Sequence, residues 1–462
     1  MDVTSKLQAS PPQTGAEAPP LTRELARFTA QHPSGAWDAA TEQAALRTIL
    51  NWLGCAIGAA LHPAVDAAVA AMLDLDPPAS VTILGRREKM DAASAALVNG
   101  ISSHVFDYDD THPTTLIHPS GPVVAAALAV AERYDLSGRA LVDAVVLGVD
   151  VACRAGLLVC PEHYDRGWHV TGSAGVLGAA AAVARLLEMD TQTTTMALGL
   201  AASQPIGLRE QFGSMAKPFH PGAAARAGIT SALLARRGFT AAATALEGKR
   251  GYARVLSDRQ HWGRALSGLG ERFEIVANTF KPYACGLVIH PCIDACLTLR
   301  AQHSLQPADI ASVALRVHPL VLELTGKTQP RTGLDGKFSV FHACAAALVR
   351  GAAGIAEFQQ EAVEQPEVVA LRGRISATAE DGLPHEAAHA TIVCKDGRSF
   401  SHRVDHALGS LERPMSDHDL DAKFAALVEP VLGTDKAAHL QQSCWSLAEA
   451  RTLAPFLGQA RP

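Results

Sequence analysis

The sequence predicts a mostly α protein: a large helical domain into which a smaller α/β domain is inserted. Two changes of hydrophobic period carry that reading. From Leu21 to about Gly270, apolar residues recur at helical spacing. After about Arg272 they alternate, as in half-buried strands, and from about Ser416 the helical spacing returns. Composition agrees. The 462 residues are 48% hydrophobic and 19% charged, enough to bury a large core in two or three domains. Only 5% are aromatic, so small side chains must fill that core between closely packed helices.

Taken in order, residues 1–20 are rich in Pro, Ser, Ala and Thr without an apolar period and are expected to form a disordered tail. Residues 21–271 form the first part of the helical domain. Residues 39–61 have helical spacing. Ser137 caps a helix running through Leu141, Val145 and Val149. Residues 221–237 read as a helix opened by Pro221 and closed by Gly238. The α/β domain spans residues 272–408. Residues 311–318 alternate like a strand, and residues 391–394 and 399–404 flank Lys395-Asp396-Gly397-Arg398, a hairpin signal. Residues 338–350 between them are helical in pattern. Residues 409–462 return to the helical domain.

A net charge of −6 leaves no footprint for nucleic acid. No apolar run reaches the roughly 20 residues of a membrane span. The runs over residues 121–131 and 173–184 end at Glu132 and Arg185. No hydrophobic signal core is visible, and the nine cysteines lie mostly in apolar stretches. Free thiols in a reducing cytoplasm are the expectation, with neither membrane nor nucleic acid as a partner.

Four segments place a cationic or hydrogen-bonding residue before an expected helix start: His118-Pro119-Ser120, His169-Val170-Thr171-Gly172, Lys217-Pro218-Phe219-His220-Pro221 and Lys281-Pro282-Tyr283. A helix N-terminus offers unpaired N–H groups and about half a positive charge. Several such ends converging would bind a substrate with more than one carboxylate. That points to an enzyme acting on a small polycarboxylic acid.

These stretches resemble the MmgE/PrpD family, which includes 2-methylcitrate dehydratase, cis-aconitate decarboxylase and iminodisuccinate epimerase. The resemblance rests on Asp107-Tyr-Asp-Asp-Thr111 with His118-Pro-Ser120, Gly167-Trp-His169-Val-Thr-Gly172, Gly213-Ser-Met-Ala-Lys217-Pro-Phe-His220 and Lys281-Pro-Tyr-Ala-Cys285, all in family order. It implies a large all-helical domain, a smaller α/β lid, a site in the cleft between them, a homodimer and no cofactor. It places catalytic residues at Asp107, His118, His169, Lys217 and Lys281, and substrate contacts at Thr111 and His220. Two departures weigh against decarboxylation. Phe341 stands where the similar decarboxylases carry a Tyr, and the Thr111–His118 spacing is one residue longer than theirs.

The family reactions share proton transfer at a carbon next to a carboxylate, which builds charge that Lys, His and helix N-termini stabilise. The favoured reaction is dehydration of a citrate-like hydroxy-tricarboxylate. The alternatives are cis-aconitate-type decarboxylation and dicarboxylate epimerisation, with a metal-dependent hydrolase or a non-catalytic carboxylate binder as different classes. Each residue also has a bland reading. Lys217 and Lys281 could be solvated, His169 a neutral helix cap, His118 a loop residue before Ser120 as cap, and Asp107, Asp109 and Asp110 a turn.

His104, Asp107, Asp109, His112 and His118 carry enough donors for a metal but match no standard metal motif, so no metal is expected. Cys285, Cys292 and Cys296 lack the spacing of an iron–sulfur run and are read as core thiols. Gly172, Gly175 and Gly178 are read as close helix packing rather than a dinucleotide loop. Arg209-Glu210-Gln211 is left open between site and surface turn.

Overall fold

The computed structural model describes residues 18–462. All but the last three residues of the expected tail lie outside it. The chain divides into two compact units: residues 18–105, 109–280 and 416–462, and residues 106–108 and 281–415. Most of the chain is helical, and strands are few.

The larger unit is built on the helix Val170–Leu186, buried along its whole length except at Arg185. The helices Gly138–Val159, Ser120–Arg133, Ala216–Arg236 and Thr191–Ala201 pack on it. Small residues set their spacing. A Cβ on Gly178 would lie 2.5 Å from the Gly148 carbonyl oxygen, and one on Gly175 would lie 2.4 Å from Pro122 Cγ. The glycine run is thus a helix-packing surface. Side-chain caps fix several starts: Asp38 accepts from Thr41 N–H, Asp91 from Ala93 and Ser94, and Ser137 from Ala140. Ser416 and Asp419 form a reciprocal capping box at the helix Asp417–Leu432.

The expected helix opened by Pro221 starts earlier, at Ala216, with Pro221 inside it. Pro221 has no N–H for the carbonyl four residues back, yet neighbouring helices bury this stretch and hold it helical. The chain changes unit at 281 and 416, where the sequence was divided at 272 and 409. Residues 272–280 stay with the helices because Thr279–Phe280 pairs antiparallel with Asp110–Thr111, and Glu274 N–H donates to Asp150. Residues 409–415 stay with the smaller unit, where Arg413 and the Leu408 N–H both bind the Asp294 carboxylate.

The smaller unit holds a four-stranded sheet in the order Ile375–Ala379, Ile310–Val317, Ala388–Cys394, Ser399–Val404. The first pair is parallel and the others antiparallel. Ala388–Cys394 alternates strictly between buried and partly exposed residues. In Ile310–Val317 a register shift between Ile310 and Ser312 breaks that alternation. The helix His290–Gln302 packs on the sheet and against Val340–Arg350. Cys292, Cys296 and Cys344 meet there, and all nine cysteines are buried free thiols. Among the described residues no single helix is long and apolar enough to cross a membrane.

Candidate active site

In the larger unit, helix ends deliver four imidazoles to one place. His104 is the last residue of Ala92–His104, His169 is the N-cap of Val170–Leu186, His118 lies two residues before Ser120–Arg133, and His220 lies in the second turn of Ala216–Arg236. All four are buried. The His104 and His118 ring centroids are 4.7 Å apart, His104 and His169 5.7 Å, and His118 and His169 6.0 Å. One ring nitrogen from each of these three lies within 4.8 Å of the other two.

Each ring is oriented. His104 Nδ1 donates to Asp109 Oδ2 at 2.7 Å, and both side chains are fully buried. His118 Nδ1 donates to the Asp110 carbonyl at 2.6 Å, with Thr111 Oγ1 at 3.3 Å. Its backbone N–H donates to Thr171 Oγ1. His169 and His220 share a hydrogen bond between their Nδ1 atoms at 2.9 Å, so one ring donates and the other accepts. The Nε2 atoms of His104 and His169 are buried without a hydrogen-bond partner among the described residues.

Lys217, in the first turn of Ala216–Arg236, places Nζ 5.1 Å from the Phe212 ring, which itself meets His169 edge-on at 5.1 Å. Burial and neighbouring charges act on two of these rings. Burial holds His169 well below the usual histidine range, and the charges of His104, Lys217, His118 and His220 push it further down. His220 is lowered to about 4 by burial, then by His104 and Lys217. Asp110 moves the other way, to about 7, through burial and the neighbouring Asp109, against hydrogen bonds from Ser120 and Asn278. Ser120 Oγ therefore serves Asp110 rather than capping its helix.

The smaller unit has a different cluster. Asp107 sits in the left-handed backbone region at φ 52°. Lys281 Nζ donates to its carboxylate at 2.6 Å and to its carbonyl at 3.0 Å. Lys337 Nζ donates to the carbonyls of Phe106 and Ala284 at 2.7 and 2.6 Å, and lies near the rings of Phe106 and Phe358. Tyr108 Oη donates to the Pro282 carbonyl at 2.9 Å. Lys281 is not at a helix N-terminus: the next helix, His290–Gln302, begins nine residues later, after an irregular stretch and a short 3₁₀ turn. The other three cationic segments do lie at helix starts.

The expected site residues thus divide. His118, His169, Lys217, His220 and Thr111 belong to the larger unit, and Asp107 pairs with Lys281 in the smaller one. His112 turns to Thr115 and Glu274, at 2.8 and 3.3 Å. Arg209 stacks on Tyr164, with 4.1 Å from its guanidinium carbon to the ring centroid, and bonds the Tyr164 carbonyl. Sequence reasoning weighed His104 only as a metal donor, Asp109 as a metal donor or part of an acidic turn, and did not single out Lys337. The signal for the first two was the five-residue step from His104 to Asp109 around a helix end. Lys337, between a Gly and a Phe, carried none.

Residues 23–265 match the MmgE/PrpD N-terminal domain and residues 283–448 the MmgE/PrpD C-terminal domain. The chain is similar to the cis-aconitate decarboxylase of Aspergillus terreus, 24% identical over 439 residues, covering 88% of this chain and 89% of that one. It is similar to the human cis-aconitate decarboxylase, 27% identical over 379 residues and 78% of each chain. The cis-aconitate decarboxylase-like protein oryM of Aspergillus oryzae is 24% identical over 465 residues, covering 95% of this chain and 96% of that one.

Proposed function

The chain belongs to the MmgE/PrpD family, and from that premise we propose that it is a lyase that decarboxylates an unsaturated tricarboxylate of the cis-aconitate type. The observation that carries the reading is the buried group of four imidazoles beside Lys217, together with relatives named as cis-aconitate decarboxylases. This choice departs from the dehydration that the motifs alone favoured.

The reaction asks for two things. The bond between a methylene carbon and its carboxylate breaks, releasing CO2. Its electron pair becomes a new C=C bond while the old alkene pair moves to the carbon beside a retained carboxylate, and that carbon takes a proton. Charge on the retained carboxylate must be held in place, and a proton must be at hand. Lys217 supplies a fixed cation. The imidazoles supply the proton once an anion enters. In the resting protein His169 and His220 are held toward the neutral form, both by burial first and then by neighbouring charges. A bound polyanion reverses the electrostatic part of that effect, raises the imidazole pKa values and draws protons in. Asp107 and Lys281 keep, in this proposal, the catalytic roles the family pattern gives them.

Dehydration of a citrate-type acid is the second reading. Phe341, in the helix Val340–Arg350, favours it, because it offers no hydroxyl where the similar decarboxylases carry a Tyr. One experiment decides. Uniformly ¹³C-labelled cis-aconitate, citrate and 2-methylcitrate are incubated with the protein in D2O and followed by NMR. Labelled CO2 with a deuterated methylene in the product supports the proposal. Conversion of the hydroxy acids to alkenes without CO2 replaces it with dehydration. A homodimer is part of the proposal and is read by light scattering.

A further inference from the structure

We propose that His104 is a substrate-binding residue: with His118 and His169 it forms a cradle for a single carboxylate oxygen, and Asp109 orients it. This rests on the reading of a polycarboxylate substrate and names where one of its carboxylates sits.

The geometry comes from the triangle of ring nitrogens, each within 4.8 Å of the others. An atom placed between three nitrogens that close lies no more than about 2.8 Å from each, within reach of a hydrogen bond to oxygen. Two of the three rings have a nitrogen with no other task, since the Nε2 atoms of His104 and His169 are buried without a hydrogen-bond partner among the described residues. Leaving such atoms bare costs free energy that an oxygen ligand recovers.

The chemistry follows from Asp109. Its carboxylate accepts from His104 Nδ1, so in the neutral ring the proton is on Nδ1 and Nε2 carries a lone pair. A lone pair repels a carboxylate oxygen. Binding therefore takes a proton from solvent onto His104 Nε2, giving an imidazolium that donates to the ligand from one side and to Asp109 from the other. His118, whose Nδ1 donates to the Asp110 carbonyl, takes a second proton on its Nε2. His169 donates without one when its Nδ1 accepts from His220. The groups around the His104 ring are Asp109, His118 and His169, with His220 bonded to His169 and Lys217 over the Phe212 ring that meets His169.

The test uses tricarballylate, a saturated tricarboxylate with no double bond to rearrange. Isothermal titration in buffers of different ionisation enthalpy measures protons taken up. The expectation is uptake of about two protons at pH 7.5, one each on His104 and His118. In His104→Gln the affinity should weaken at least ~10-fold and the uptake should fall. Unchanged affinity and uptake in a folded His104→Gln protein overturn the cradle, as does tight binding to the wild type without uptake. Should the variant fail to fold, a crystal structure of the wild type with tricarballylate decides. One carboxylate oxygen within hydrogen-bonding distance of all three rings supports the cradle. A divalent metal there, or the carboxylates elsewhere, overturns it. Tricarballylate binding with uptake but no CO2 from cis-aconitate leaves the cradle standing and sinks the decarboxylase. CO2 release without the cradle's signature does the reverse.

Discussion

Two buried polar clusters handle charge in opposite ways. In the smaller unit, Lys281 meets the Asp107 carboxylate at 2.6 Å, both side chains almost wholly buried, and Lys337 is held by two carbonyls. Each ammonium has its acceptors within the protein. In the larger unit, His104, His118, His169 and His220 crowd together beside Lys217, and burial with the neighbouring charges makes His169 and His220 harder to protonate. Like-charged groups gathered out of water store an unfavourable field that an incoming anion relieves. Paired opposite charges store none. The first arrangement gains by taking up an anion, and in the second each cation already has acceptors. On this contrast the proposed chemistry leans on the charge balance of the imidazole cluster, while Lys281, besides the role proposed for it, clamps the unusual backbone at Asp107.

The sharpest way to break the contrast is Lys217→Met. A positioned cation is worth roughly 10²- to 10⁴-fold in rate, so turnover should fall at least ~100-fold in a folded protein. Because Lys217 is one of the charges depressing His169 and His220, both rings should titrate at higher pH in the variant. Histidine NMR titration checks this. Full turnover with unmoved imidazoles would remove Lys217 from the cluster's electrostatics.

Lys281→Met should behave differently. It strands the buried Asp107 carboxylate, and breaking a buried pair from one side costs about 3–5 kcal/mol. Activity and stability should therefore fall together, measured by urea unfolding beside the rate. A loss of activity at unchanged stability would show that Lys281 acts on the reaction and does not anchor the fold. Lys337→Met withdraws an ammonium from the Phe106 and Ala284 carbonyls, about 1.5–3 kcal/mol for a charged hydrogen bond. Its cost to turnover should be smaller than that of Lys281→Met. The opposite order would make Lys337 the more important of the two.

How far the sequence could reach follows the same divide. The helices, the strand at Ile310–Val317, the hairpin and the cap at Ser137 were legible, because period, cap and turn residues are local signals. The strand Ile375–Ala379 was not. It is short, its register with Ile310–Val317 is parallel, and only a partner more than fifty residues away defines it. The start at Ala216 was hidden by Pro221, which reads locally as an opener but sits in a helix that its neighbours hold together. His118, His169, Lys217 and His220 could be singled out because three helix starts announce them. His104 stands at a helix end, where a histidine is unremarked, and Lys337 gains its meaning only from carbonyls 231 and 53 residues away.

The smallest expected effect tests whether burial suppresses charge in the larger unit apart from any ligand. Asp110 is raised to about 7, first by burial and then by Asp109. An unfolded Asp titrates near 3.9. Its folded value is the higher one, so the folded state binds the proton more tightly. The stability this contributes is fully present below about pH 4 and is lost as pH rises toward about 7. Asp110→Asn imitates the protonated acid: its amide can face Ser120 Oγ while its oxygen accepts from Asn278. The wild type should lose stability between pH 5 and pH 8 relative to this variant, seen as a larger drop in the urea midpoint. Parallel curves for the two proteins would mean that Asp110 is ionised throughout, that the hydrogen bonds from Ser120 and Asn278 outweigh burial, and that the larger unit tolerates two adjacent carboxylates without suppressing either.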